Sequence, residues 1–318
     1  MRTDNAAMQD QEKLRSATAE SMAVGASQAG DPPKAVSDTP VTAAHPAVED
    51  ISYYMLHGRL AQFRSMGEHR EHWEDRWAQG RIRELLAAAS SGRLDEFEWL
   101  FTHYLPRDLP VLEAGCGQGQ LVMALNSRGY LVEGVDYAAQ TIGVLNEVAP
   151  ELNTRVGDVY NLDVPDGTYG GYISIGIFEH YPDGPLKGLS EVRRVLNPRG
   201  VALISVPYLN TQRQKLLRRV PVAESTKHAN GLQFYQYYFA REEFERHLRE
   251  SGLEVIRLWP YALYSGVTRD FAVGSWLHSR KFFNWRIHRR ITKWCRDSPE
   301  WVAWRWAHML MFVCKRAR

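Results

Sequence analysis

The sequence predicts an α/β protein built on a parallel sheet with helices on both faces. Three observations point to that class. Between Leu109 and Pro207, short apolar runs alternate with amphipathic stretches of helical spacing. The first run opens into EAGCGQG, a loop with glycine at every second position. Acids stand at or just beyond the ends of the first three runs: Glu113, Asp136 and Asp158. Strand-helix alternation implies parallel pairing, because each helix carries the chain back to the edge from which it started.

The elements follow in order. Residues 1–48 are rich in Ala, Ser, Thr, Asp and Pro with few large apolar side chains. Such a segment buries too little surface to offset its ordering entropy, so a disordered tail is expected. Over 49–105, as in REHWEDRWAQGRIRELLAAA and RLDEFEWLFTHYL, apolar residues recur at helical intervals, and two or three helices are expected to form a cap. The 106–318 domain then begins. Strands are predicted at Leu109–Ala114, Tyr130–Val135, Thr154–Val156 and Tyr172–Ile177, and over VALISVP after an NPRG turn. Helices are predicted at Leu121–Arg128, Ala139–Ala149 and Pro185–Leu196. Residues 208–234 read as basic and irregular, followed by a helix at Arg241–Ser251, a strand at Leu253–Trp259 and an apolar closing strand, HMLMFVCKR. A helical insertion, 264–305, separates the last two strands.

Composition narrows the function. A net charge of +2 over 318 residues gives no polyelectrolyte signal, so nucleic acid is not an expected partner. The three cysteines, Cys116, Cys295 and Cys314, lack metal-ligand or disulfide spacing, so no metal is expected and a reducing compartment fits. The opening MRTDNAAMQDQEKLRS lacks the apolar core of a signal peptide, so a cytoplasmic location is expected.

The glycine loop identifies its ligand class. A dinucleotide fingerprint needs a third glycine three positions after the second, where this chain has Gln120; glycine falls at 119 instead. With Glu113 ahead of the loop, an adenosyl amino acid fits better than a pyrophosphate, which an acid would repel. Asp136 closes the second strand, where a carboxylate can accept both ribose hydroxyl protons. Asp158, in Gly157-Asp158-Val159, can accept an adenine amino group.

EAGCGQG, GVDYAAQTI, GDVYNL, SIGIFEHYPD and LNPRGVALISVPYLN, in that order from about Val111 to Pro207, resemble the class I S-adenosylmethionine-dependent methyltransferases. The resemblance implies S-adenosylmethionine as cofactor and a Rossmann-like, doubly wound seven-stranded sheet whose last strand, here HMLMFVCKR, runs antiparallel. It implies that Glu113, Gly115, Cys116, Gly117 and Gly119 surround the methionine end. It also implies that Asp136 holds the ribose, and that Tyr137, Gly157, Asp158 and Val159 surround the adenine, with Gly176 beside the cofactor.

The fourth strand leads into IGIFEH at the carboxyl edge of the sheet, where open α/β sheets bind ligands. His180 is the candidate general base for a hydroxyl acceptor, with Glu179 to orient it or to bind substrate; capping of the following turn is the structural alternative. The Asn/Asp/Ser-Pro-Pro-aromatic sequence of base-directed amino methyltransferases is absent, which favours oxygen by elimination. Carbon or nitrogen methylation, lipid modification included, and a non-catalytic cofactor-binding scaffold are the competing readings.

Three regions are candidates for the acceptor pocket, which would take a small-molecule or carrier-linked substrate. Trp73 and Trp77 share a helical face and read as lid residues or as packing. In 208–238, basic residues precede clustered tyrosines; Tyr208, Tyr235 and Tyr238 suit a phosphate- or sugar-bearing acceptor, or a half-buried strand. Residues 280–296, with Phe283, Ile287, Ile291 and Trp294 on one face and a basic remainder, suit either a docked lid helix or peripheral contact with an anionic membrane. The sequence carries no signal for oligomeric state.

Overall fold

The chain divides into residues 1–47 and a unit spanning 48–318. The computed structural model describes residues 51–65, 82–227, 231–269, 290, 294–295 and 298–317. The expected disordered tail, Trp73 and Trp77, and most of the basic segment 280–296 lie outside the described residues. Among the described residues no helix is long and apolar enough to cross a membrane.

The main sheet has seven strands in the order β5-β4-β3-β6-β7-β10-β9. They are β3 (Val111–Ala114), β4 (Val132–Asp136), β5 (Asn153–Val156), β6 (Tyr169–Ile175), β7 (Leu196–Pro207), β9 (Leu253–Tyr261) and β10 (Met309–Arg316). Strands β3 to β7 pair in parallel. The closing strand slots between β7 and β9 and is antiparallel to both. Strand β7 begins upstream of the expected VALISVP and runs through the NPRG residues.

Alternation along the strands sorts the interior into two layers. Leu112, Tyr172 and Phe312 face one cluster, which α5 (Leu186–Val195) and α7 (Arg241–Glu250) close with Leu189, Val192, Phe244 and Leu248. Val111, Ile173 and Met311 face the other. That layer is closed by α1 (Ile82–Ala89), α2 (Glu98–Tyr104), α3 (Gln120–Asn126) and α4 (Ala139–Val148). Because the central strands are buried on both faces, they read as continuous apolar runs and were recognisable as such.

The expected cap is helical only in part. Residues 51–64, inside the segment read at helical period, form a β-hairpin: β1 (Ile51–Leu56) pairs with β2 (Arg59–Arg64) across a two-residue turn. His57 and Gly58 both have positive φ, 50° and 78°, the backbone such a turn requires. Strand β8 (Gln233–Tyr238) joins the outer side of β2, making a three-stranded antiparallel sheet. Phe63, Phe234 and Tyr237 belong to the main core, so this small sheet is packed onto the large one.

The segment 208–234 is also more ordered than expected. Asn210 caps α6 (Thr211–Leu217), its side chain accepting from the Gln212 and Arg213 amides. Arg213, read as part of a basic acceptor-binding run, is buried. Its guanidinium donates to the Tyr208 and His308 carbonyls at 2.6 and 2.9 Å and lies 4.2 Å from the Tyr238 ring centroid. It fastens the end of β7 to the start of β10. Two further helices, α8 (Leu263–Arg269) and α9 (Glu300–Trp306), fall within the 264–305 insertion apart from their terminal residues.

Candidate functional site

The loop after β3 is shaped by its glycines. Gly115 has φ 84°, and a Cβ there would lie 2.2 Å from Ile177 Cδ1, so only glycine lets the loop pass the residues that follow β6. The Gly115 and Cys116 amides both donate to the Val135 carbonyl, at 2.7 and 3.1 Å. Asp136, at the tip of β4, accepts from Gly117 N at 2.9 Å through one carboxylate oxygen and from Ala138 N at 3.0 Å through the other. Each oxygen keeps lone-pair capacity for a further donor. The acid thus braces the glycine loop and turns toward the space above it.

Glu113 shares that space. It is buried, and its Oε2 has no hydrogen-bond partner. Burial pushes its carboxyl well above the usual range, against a hydrogen bond to the Val122 backbone and reinforced by the Asp136 charge. Two acids on one cavity fit a cation, whose arrival would offset the burial penalty. Cys116 is buried at the loop, where burial and the charges of Glu113 and Asp136 push its thiol up.

Asp158 follows β5, one carboxylate oxygen accepting from Tyr160 N at 2.8 Å. Together these groups face a cavity of about 1130 Å³. Glu113, Gly115, Cys116 and Gly117 line it, as do Asp136 and Tyr137, Asp158 and Val159, and Gly176. Gly119 and Gly157 are not on its wall; they shape the loops behind it. A diol, a cationic amino-acid end and an aromatic base each find a partner here, so the residues fit an adenosyl amino acid.

The opposite half of the cavity starts where β6 ends. A 3-10 turn, Phe178–His180, places His180 on the wall. His180 Nδ1 lies 2.7 Å from the Tyr235 carbonyl. A carbonyl can only accept, so Nδ1 carries the proton and Nε2 of the neutral ring carries the lone pair. Glu179, read as a catalytic partner, is not on the wall. It is buried behind Gly176, with Oε2 lacking a partner and Oε1 3.9 Å from His180 Nε2. Burial raises its carboxyl to about 8.

The tyrosine readings divide. Tyr235 meets His180 ring to ring at 4.9 Å, with the Arg64 guanidinium 3.8 Å from its own centroid. None of Tyr208, Tyr235 and Tyr238 is on the cavity wall; Tyr235 stands behind His180. Tyr238 packs with Leu60 and Leu209, and its hydroxyl accepts from the Gln62 amide at 2.9 Å; Tyr208 sits in the β7 to β10 fastening. Sequence reasoning missed Leu94 and Phe97 from the α1–α2 connection, Thr226 and Lys227 from the segment ahead of β8, and Gln233 and Phe234 from β8 itself. The FYQYYF cluster signalled that the sheet existed, but not which of its residues face the cavity. Tyr237 also contributes from behind: its hydroxyl donates to the Pro182 carbonyl at 2.9 Å, holding the loop after His180.

A family model described as a methyltransferase domain matches residues 70–258, more than half of the chain. A probable S-adenosylmethionine-dependent methyltransferase of Mycolicibacterium smegmatis is 34% identical over 97 residues, covering 30% of this chain and 37% of the relative. The chain thus spans little more than a third of that relative's length. A ubiquinone biosynthesis O-methyltransferase of Burkholderia pseudomallei is 24% identical over 185 residues, 56% of this chain and 78% of the relative. Among solved structures, a Haloferax volcanii methyltransferase complex with the activator Trm112 shares the fold: TM-score 0.51 at 15% identity, covering 77% of this chain and 98% of that one. The chain belongs to the methyltransferase-domain family, with the class I, S-adenosylmethionine-dependent architecture.

Proposed function

We propose that this member of the methyltransferase family transfers a methyl group from S-adenosylmethionine to a hydroxyl oxygen of a small-molecule or carrier-linked acceptor. In this reading Glu113 receives the ammonium end, Asp136 the ribose hydroxyls, and Asp158 and Val159 the adenine. When bound, the cofactor supplies an electrophilic methyl group on a sulfonium. The protein's task is then alignment and exclusion of water, a proximity effect. Leu94, Phe97 and Phe234 give the cavity the apolar walls that this needs.

One observation supports oxygen as the acceptor: the His180 tautomer set by the Tyr235 carbonyl. Its Nε2 lone pair can take the hydroxyl proton as the oxygen bonds to the methyl carbon, general-base help worth roughly 10²- to 10⁴-fold. Glu179, neutral below about pH 8, supplies no counter-charge to that ring at neutral pH. Its part is to support the turn. The O-methyltransferase relative is consistent with the same chemistry.

The test is incubation of a cell extract with methyl-labelled cofactor and purified protein, followed by identification of the labelled product. A methyl ether is expected. His180→Ala should keep its affinity for S-adenosylhomocysteine while labelling falls at least a hundredfold, and wild-type labelling should decline on acidification. Undiminished labelling by His180→Ala, or a label on carbon or nitrogen, would refute the reading.

A further inference from the structure

We infer that the acceptor carries an oxyanion, recognised by Lys227, about one ring length from the hydroxyl that is methylated. This rests on the methyltransferase reading of the cavity and adds the chemical class of its substrate.

Charge on the cavity wall is sorted by function. Glu113, Asp136 and Asp158 all belong to the half that fits the nucleoside. On the facing half, made by the loop from Ile177 to Pro182 and by the small sheet, no carboxylate lines the wall among the described residues. Lys227 is on that half and forms no ion pair among the described residues. The other cation of the wall, Arg93, lies in the α1–α2 connection with Glu96 three residues away, so that side carries both signs.

The position of Lys227 is fixed relative to the candidate base. It bridges to Gln233 at the start of β8, and the Phe234 amide donates to the Thr226 carbonyl at 2.8 Å. Two residues beyond Gln233, Tyr235 holds His180 through its own carbonyl. At about 3.3 Å per strand residue, the two anchor points are separated by roughly 7 Å along β8. Anchors this close put the ammonium and the candidate base within reach of one ring-bearing acceptor that carries both a charged substituent and a hydroxyl. Phe234, Tyr181 and Ile177 line the same cavity and offer apolar surface on which a ring packs. A lysine ammonium is a mobile point charge that serves a carboxylate or a phosphate equally, so the shared chemistry is the oxyanion.

Calorimetry on the full chain loaded with S-adenosylhomocysteine tests this. The probes are 3,4-dihydroxybenzoate, its methyl ester and 3,4-dihydroxyphenyl phosphate. At least one anion should bind tenfold or more tightly than the uncharged ester, and the stronger of the two separates a carboxylate site from a phosphate site. Lys227→Met should erase that preference while keeping the affinity for S-adenosylhomocysteine. The inference is overturned if neither anion binds, if the ester binds as well as both, or if the preference survives in Lys227→Met. Failure of the wild-type protein to bind S-adenosylhomocysteine in the first titration would instead sink the methyltransferase reading.

Discussion

Replacing Glu179 by glutamine keeps the shape of the side chain and removes its proton equilibrium. In the folded protein burial raises this carboxyl to about 8, against an ordinary 4.5. The unfolded chain therefore gives up the proton near 4.5 and the folded chain keeps it until about 8. Between those values the folded state holds the extra proton, so stability falls as pH rises through the window and levels off above it. At about 1.4 kcal/mol per pKa unit, charging Glu179 inside the fold costs up to about 5 kcal/mol, most of it desolvation. Glutamine has no such cost at any pH. Urea unfolding of wild type and Glu179→Gln at pH 5, 7 and 9 reads the difference, with the slopes checked for equality. The two proteins should nearly coincide at pH 5, and the variant should be more stable by roughly 2–5 kcal/mol at pH 9. The variant should also keep wild-type turnover within a few-fold at pH 7, because the acid it replaces is already neutral there. Parallel stability curves across this range would refute the burial argument; collapse of turnover at pH 7 would refute the supporting role.

Two further perturbations address the nucleoside half. Asp136→Ala removes the acceptor for the Gly117 and Ala138 amides together with the proposed ribose contact. With hydrogen bonds to a charged group worth about 1.5–3 kcal/mol each, affinity for S-adenosylhomocysteine should fall at least a hundredfold by calorimetry, with a lower melting temperature. Gly115→Ala must hold a positive φ and place a Cβ 2.2 Å from Ile177 Cδ1, so it should lose cofactor binding and about 1–2 kcal/mol of stability, read by titration and thermal melting.

Much of the molecule was legible in the sequence, for reasons that can be assigned. The core strands were visible because burial on both faces leaves continuous apolar runs, and the helices between them because one stripe faces the sheet. The acids proposed to hold the cofactor were visible because the sheet brings the ends of adjacent parallel strands together: Glu113 and Asp136 lie at the carboxyl ends of strands that pair directly. The hairpin at 51–64 was missed. Its His57-Gly58 turn is a real local signal, but the partner that completes its sheet, β8, lies far along the chain. The tyrosine-rich segment was read as either an acceptor site or a half-buried strand, and its faces are divided: Phe234 reaches the cavity, Tyr237 braces Pro182, and Tyr238 packs against Leu60.

By itself, then, the sequence determined the sheet, the glycine turn and the acids beside it, because each depends on periodicity, backbone freedom or neighbouring strand ends. Tertiary structure alone decided which groups face the proposed acceptor side of the cavity. His180 takes its tautomer from the carbonyl of Tyr235, a backbone atom that every residue possesses and no sequence pattern marks. Arg213 is drawn into the fold and Lys227 is left on the cavity wall, although both are basic residues in one polar stretch. Tertiary contacts set those choices: the His308 carbonyl, far along the chain, holds Arg213, and Lys227 bridges to Gln233 at the start of β8.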